Sequence, residues 1–308
     1  MKQRRKGKIT AFIIFCAIGL LLAVTACQKQ APAPTPTPMP KKTVALADIR
    51  ATLDAAETGA YEIYALKVGL AKRAKKKFFY AGVDKTVRTP ISFCFNLLKG
   101  NGRVVLIDTG FTSQKRIKMW KIIDYRSPVS LLQSIGVELD QITDVVITHR
   151  HWDHIGGLPE LSTPTLWIPK GEFRAAKKLF REKNPAIVAA LKRFKKAGKV
   201  NFTPRVGEIL PGVVVVRRGK HTGQFQFVVV KNADKTWILS SDVAPLYQNL
   251  HERHVSGQSV DRADSAQTID DILALADGNL DHIVVSHDPE VFERYPQIQP
   301  GVVKITSP

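Results

Sequence analysis

The chain has 308 residues, 44% hydrophobic and 24% charged, the proportions of a globular protein rather than a disordered or fibrous one. That length suits one large domain or two small ones. The formal net charge of +19 is out of the ordinary; five of those charges (Lys2, Arg4, Arg5, Lys6 and Lys8) fall in the first 26 residues, and subtracting them still leaves +14.

In chain order, the basic stretch MKQRRKGK comes first. An apolar run over residues 9–24 follows, shorter than the about 20 residues of a membrane span. Small residues Thr25 and Ala26 then precede Cys27, as a signal cleavage site requires. The stretch VTAC resembles the lipobox of bacterial lipoproteins, which implies cleavage before Cys27 and a lipid on its sulfur that holds the chain to a membrane. A plain secretory signal or an uncleaved anchor is the competing reading. Proline at positions 32, 34, 36, 38 and 40 favours an extended polyproline stalk. The expected organisation is a signal over residues 1–26, a Pro-rich linker over 27–43 and a folded domain over 44–308, lipid-anchored in the bacterial cell envelope on its extracytoplasmic side. With Cys16 in the signal and Cys27 lipidated, Cys94 stands alone and is expected to be a small buried residue, not a nucleophile.

Within the domain, YEIYALKVG and ISFCFNLL are predicted strands, and RVVLI is a short strand ending at Asp108-Thr109-Gly110. Residues 113–135 are helical or mixed. DVVIT and TLWIP are strands by their apolar, β-branched runs. Residues 171–198 carry a long helical pattern interrupted at Asn184-Pro185. VVVVRR, FQFVVVK and TWILSS are strands; residues 265–277 form a helix N-capped by Ser265; HIVVSH is the last strand. Two strand-rich halves with helices between them predict a layered α/β domain.

The segment THRHWDHIGG places His149, His151, Asp153 and His154 directly after the predicted strand DVVIT, in a chain with eight histidines. Zinc takes imidazole nitrogen and carboxylate oxygen. In an extended segment residues two apart share a side, so His149 and His151 can address one ion; Asp153 and His154, beyond a turn, can address a second. A lone HxH is a weak signal, but HxHxDH followed by two glycines is strong. Two ions need further ligands, and three candidates follow predicted strands: His221 in KHTGQ, Asp242 in SSDVA and His287 in SHDP. Singly, each is the kind of residue that caps a turn. Together they complete a metal site at the carboxyl ends of the strands, where α/β sheets place their sites.

The order HxHxDH, then His, Asp and His, resembles the metallo-β-lactamase superfamily over residues 61–295, and LIDTG at 106–110 is similar to its first motif. The resemblance implies an α/β fold, a four-layer αβ/βα sandwich with the site at one edge between two sheets. It implies two zinc ions, with iron or manganese as alternatives for N/O ligands. His149, His151 and His221 would hold the first, Asp153, His154 and His287 the second, and Asp242 both. It implies hydrolysis by a metal-bridging hydroxide, with Asp153 steering its proton.

Asp242 also bears on the bond that is cut. The superfamily's true β-lactamases generally lack this bridging aspartate, whereas lactonases, thioesterases and phosphodiesterases carry it. DVAPLYQNL and SHDPEVFERYP resemble N-acyl homoserine lactonases, which implies a small lactone or ester substrate. Those lactonases place a tyrosine three residues after the bridging aspartate. Here that position is Pro245, and Tyr247 is the candidate to take over the catalytic hydrogen bond to substrate. Two further readings compete: a phosphodiesterase or β-lactamase-type amide hydrolase, and a non-catalytic metal-binding lipoprotein. The last is weakened because a structural zinc needs only four closed ligands. Residues 170–199 hold eleven Lys or Arg against Glu172 and Glu182. A solvated helix face explains them better than nucleic acid, a poor partner for an extracytoplasmic lipoprotein, and Phe173, Phe180 and Phe194 fit a core stripe better than a stacking platform. His251, His254 and His282 are left out of the site.

Overall fold

The computed structural model describes residues 44–233 and 235–306. The signal over residues 1–26, lipidation of Cys27 and the linker over 27–43 lie outside the described residues. Among these residues no helix is long and apolar enough to cross a membrane.

The elements run α1 (Leu46–Ala55), β1 (Tyr61–Lys75), β2 (Arg88–Gly100), β3 (Arg103–Ile107), α2 (Gln114–Trp120), α3 (Pro128–Gln133), β4 (Asp144–Val146), α4 (Trp152–Ile155), β5 (Thr165–Ile168), α5 (Lys170–Lys183), α6 (Pro185–Lys196), β6 (Val200–Phe202), β7 (Val206–Leu210), β8 (Val213–Val216), β9 (Phe227–Asn232), β10 (Lys235–Ser241), α7 (Tyr247–His251), α8 (Arg262–Leu275), β11 (Ile283–Val285), α9 (Val291–Arg294), β12 (Gln297–Gln299) and β13 (Val302–Lys304). They build an eight-stranded sheet in the order β12-β13-β1-β2-β3-β4-β5-β6 and a five-stranded sheet in the order β11-β10-β9-β8-β7.

Alternation along the strands decides what lies on each face. Ile63 and Ala65 of β1, Val105 and Ile107 of β3, and Val146 of β4 meet the valines of β8 and β9 in the core between the sheets. Their neighbours Tyr64, Leu66, Leu106 and Val145 face the other way, into a second core with Leu131, Phe173, Phe180, Leu191 and Phe194 from α3, α5 and α6. Helices α1 and α8 cover the outer face of the small sheet, against β7, β8 and β10. All four residues of β8 are buried because this strand is covered on both faces. The result is the four-layer sandwich, helices outside and two sheets within.

The segment over 113–135, expected to be helical or mixed, is two short helices parted by a turn in which Lys121 and Asp124 take left-handed conformations (φ 51° and 52°). Other expectations needed correction. Ser265 is not a helix cap: α8 starts at Arg262, and the Asp261 carboxylate accepts from the Asp264 N–H. Ser265 is buried one turn in, with its hydroxyl 2.6 Å from the Gly219 carbonyl. His282 sits in a 3-10 turn rather than opening the last strand. Helix α1 and the short strands β6, β7, β12 and β13 had no counterpart in the sequence reading; the strands have only three to five residues each, too few to carry a periodicity. The Asn184-Pro185 break does divide α5 from α6, with Pro185 at the first position of the second helix.

The basic residues over 170–199 are exposed apart from Lys177, while Phe173, Phe180 and Phe194 are buried. Phe194→Ala is therefore expected to cost about 3–5 kcal/mol, read from the shift in the chemical denaturation midpoint. A change under about 0.5 kcal/mol, the size expected of an exposed stacking residue, would refute its place in the core.

Candidate metal centre

Strands β3 and β4 run parallel, as do β10 and β11, so their carboxyl ends open on one edge of the sandwich. Asp108 follows β3, the histidine segment follows β4, His221 follows β8, Asp242 follows β10 and His287 follows β11. The turn after β4 is shaped by two glycines. A Cβ on Gly156 would collide with the Trp152 carbonyl oxygen, and one on Gly157 with that of Thr109. The double glycine thus lets the Asp108-Thr109-Gly110 turn lie flat against the ligand segment, where the Thr109 N–H donates to the His154 carbonyl at 2.7 Å.

The structure brings all seven predicted ligands together in two groups: His149, His151, His221 and Asp242, and Asp153, His154 and His287. Asp242 joins the groups through its two oxygens. Oδ2 lies 3.2 Å from His221 Nε2 and 3.6 Å from His149 Nε2. Oδ1 lies 3.2 Å from both His154 Nε2 and His287 Nε2. His151 Nδ1 is 3.0 Å from His221 Nε2, and Asp153 Oδ2 is 3.6 Å from His287 Nε2. Donors about 2.0–2.1 Å from a shared tetrahedral ion stand about 3.3 Å apart, which is the spacing here. The buried His149 Nε2 and His154 Nε2 have no hydrogen-bond partner, a costly state for enclosed polar atoms that a bound cation would relieve. The donor set therefore fits a pair of divalent ions.

Electrostatics separate the groups. Burial, then neighbouring imidazoles, hold His149 well below the usual histidine range, while burial brings His151 down to about 4 and His221 down to about 3. These three keep free lone pairs at neutral pH. For His154 and His287 burial is again the largest single influence and acts in the same direction, but the surrounding carboxylates together outweigh it and raise both: Asp242 and Asp153 for each, with Asp108 as well for His154. Asp242 is pulled well below the carboxylate range by His154, His287 and His221 despite its own burial.

A second sphere fixes the rings, as metal ligands require. Asp108, at φ 64° in the left-handed region that aspartate tolerates, pairs with His154 Nδ1 at 2.7 Å and accepts from the Thr148 N–H and hydroxyl at 2.8 Å each. Ser286 donates to Asp242 Oδ1 at 2.7 Å, and His287 Nδ1 donates to the Ser92 carbonyl at 2.9 Å. Glu172, 1% exposed, ties two ligand loops together. It accepts from the Arg150 N–H and guanidinium between His149 and His151, and from the Thr222 hydroxyl and Gln224 N–H just after His221. The sequence reading had treated Glu172 only as one of two acids in a basic stretch. Arg150, set between two ligand histidines, was the available hint that a carboxylate must lie nearby.

Beside the ligands opens a cavity of about 240 Å³ lined by His151, Asp153, Asp242 and His287, by the rings of Phe78, Phe79, Phe93, Trp120 and Trp152, and by Arg116 and Gln258. Apart from Trp152, which lies inside the histidine segment, none of the non-ligand residues belongs to a sequence motif. Tyr247 is not among the lining residues, and its expected catalytic role is withdrawn. Its hydroxyl donates to the Ile283 carbonyl at 2.9 Å, its ring lies under Arg294, and it belongs to the core around the small sheet. Pro245 serves through its backbone: its carbonyl accepts the His287 N–H at 2.9 Å. Cys94 is buried, its Sγ 3.0 Å from the Ser286 carbonyl, and burial raises its thiol far above the ordinary range.

A two-sheet sandwich with this donor cluster on one edge defines a class, the metal-dependent hydrolases. The sequence model of the metallo-beta-lactamase superfamily matches residues 95–287, and the chain belongs to that superfamily. Among solved structures, a quorum-quenching N-acyl homoserine lactone lactonase superimposes with a TM-score of 0.65 at 18% identity, covering 80% of this chain and 100% of that one. A dizinc quorum-quenching lactonase in complex with a product gives 0.57 at 18% identity, over 82% and 99%. A probable metal-dependent hydrolase from Staphylococcus aureus gives 0.61 at 13% identity, over 75% and 91%. At such identities the likeness is one of fold. No curated protein matches the chain.

Because Glu172 holds both loops of the first ligand group, Glu172→Gln is expected to weaken binding of the first ion by about 10–100-fold, measured by chelator competition on protein whose circular dichroism is unchanged. Unaltered affinity would show that the loops hold themselves.

Proposed function

We propose that the protein is a dinuclear zinc hydrolase of a small lactone or ester, held at the outer face of a bacterial membrane through Cys27. The observation that carries the catalytic part is Asp242, whose two carboxylate oxygens each face a different set of imidazoles. When bound, a pair of ions supplies a nucleophile at neutral pH and stabilises charge on both attacking and leaving oxygens. The remaining work falls to the chain. Asp153, at the cavity wall and 9% exposed, is placed to hold a proton during turnover. Asp108, Thr148 and Ser286 keep the ligand groups in register. The aromatic walls exclude water and receive the apolar part of the substrate.

An ester or lactone departs as an alkoxide oxygen, which suits a site bridged by a carboxylate; a β-lactam departs as nitrogen and wants a more open second position. The lactonases among the structural neighbours support the same reading. The withdrawal of Tyr247 removes the one tyrosine that would have supplied a donor to the substrate carbonyl, so selectivity must rest on other groups in the cavity.

Freshly purified protein is expected to hold about two metal ions per chain, and Asp242→Ala to disrupt the pair and its activity. A folded sample with no bound metal would sink the assignment. On metal-replete protein, a panel of acyl homoserine lactones, aryl esters, a phosphodiester and a chromogenic cephalosporin is expected to give the highest kcat/KM with a lactone or ester. Turnover of the cephalosporin or phosphodiester alone would overturn the ester preference. For the anchor, Cys27→Ser is expected to leave an unprocessed precursor or release the protein from the membrane fraction; unchanged mature size and membrane association would rule the lipid out.

A further inference from the structure

Arg116 is the one cationic side chain lining the metal-site cavity. It projects from α2 and is half-buried. Its guanidinium carbon lies 5.1 Å from the centre of the Trp152 ring, a cation–π contact. Its polar contact within the protein is the Met119 thioether sulfur, 3.6 Å from Nη1, a weak acceptor. Of the other enclosed arginines, four hold carboxylates (Arg103 with Asp144, Arg150 with Glu172, Arg218 with Asp271 and Arg294 with Asp281), while Arg126 and Arg217 donate to backbone carbonyls and, for Arg217, to the Gln224 amide oxygen. No carboxylate among the described residues ion-pairs with Arg116. The two acids that share its cavity, Asp153 and Asp242, face imidazoles instead. A cation beside the Trp152 ring, in a cavity with aromatic walls and with no ion-paired carboxylate, is arranged to receive an anion from outside the chain.

We propose that Arg116 binds a carboxylate on the substrate, so that the enzyme acts on esters or lactones whose apolar body carries a carboxylate apart from the bond that is cut; this rests on the hydrolase reading above. The fork of guanidinium donors matches the two oxygens of a planar carboxylate. Phe78, Phe93 and Trp120 line the same cavity and offer contact to the apolar body. Gln258, exposed at the same cavity, adds an amide that can donate to the same anion. The strongly basic chain favours encounter with anionic substrates. A neutral acyl lactone leaves the guanidinium without its counter-charge and is the poorer ligand.

The test compares mono-p-nitrophenyl adipate with its neutral methyl ester, reading nitrophenolate release by the full-length, metal-replete protein. The carboxylate form is expected to have a kcat/KM at least about tenfold higher, expressed mainly in KM. Arg116→Met should collapse that ratio to near one, and Arg116→Lys should restore part of it. Equal preference in the unaltered protein, or an Arg116→Met variant that slows both esters by the same factor, would overturn the proposal. If neither ester is cleaved, the hydrolase reading is at fault, and the same pair is titrated calorimetrically against the protein. Tighter binding of the carboxylate form, abolished in Arg116→Met, sustains the anion site; equal binding of both forms refutes it.

Discussion

A carboxylate 3% exposed to water is costly to keep charged, and Asp242 is kept charged by the imidazoles around it. Four ring nitrogens approach its two oxygens within 3.6 Å. Those rings arrive from the ends of β4, β8 and β11, while the aspartate arrives from the end of β10. The sandwich must therefore bring the edges of two sheets to one point before this charge can be buried. Ser241, left-handed at φ 49° just before Asp242, turns the chain out of β10 toward that point.

The packing beneath supplies the rigidity. The valines of β8 and β9 against β1, β3 and β4 fill the space between the sheets, so the strand ends cannot drift apart without opening a cavity. Above that core the polar side chains form a continuous chain. Asp108 bonds Thr148, and the Thr148 hydroxyl lies 3.1 Å from His149 Nδ1 and 2.9 Å from the Ser241 hydroxyl. Glu172 does the same on the other side of the first ligand group. At the centre itself the buried His149 Nε2 and His154 Nε2 are without hydrogen-bond partners, a state a cation would relieve.

Shape and charge in the adjoining cavity narrow the chemistry further. Its walls are aromatic rings packed on one another, with Phe93 touching Phe111, Trp120, Trp152 and His287 at ring-centre distances of 5.4–5.7 Å. Such a wall accepts apolar groups of many shapes. The specificity that it lacks must come from polar groups, and with Tyr247 turned into the core those are Arg116, Gln258 and the ligand carboxylates.

The seven candidate ligands that the fold gathers were legible in the sequence because each follows a strand and bears a side chain whose chemistry suits a cation. The strands themselves were legible from local apolar runs, and so was the break at Pro185. The shortest strands were not, since their pairing is decided by distant partners: β13 joins β1, more than 200 residues earlier. Tyr247 shows the same limit within the site. Its place two residues beyond Pro245 suggested a catalytic hydroxyl, but α7 packs the ring against the small sheet and the hydroxyl satisfies Ile283 instead. Glu172, Arg116 and the aromatic walls carried no local pattern, because their roles arise from neighbours brought together only by folding. The sequence by itself determined which side chains could bind a metal and roughly where along the strands they stand. Only the tertiary structure decided which oxygen of Asp242 faces which histidines, which arginine lines the cavity beside the ligands and which tyrosine is buried, since side-chain direction is set by packing across layers rather than by spacing along the chain.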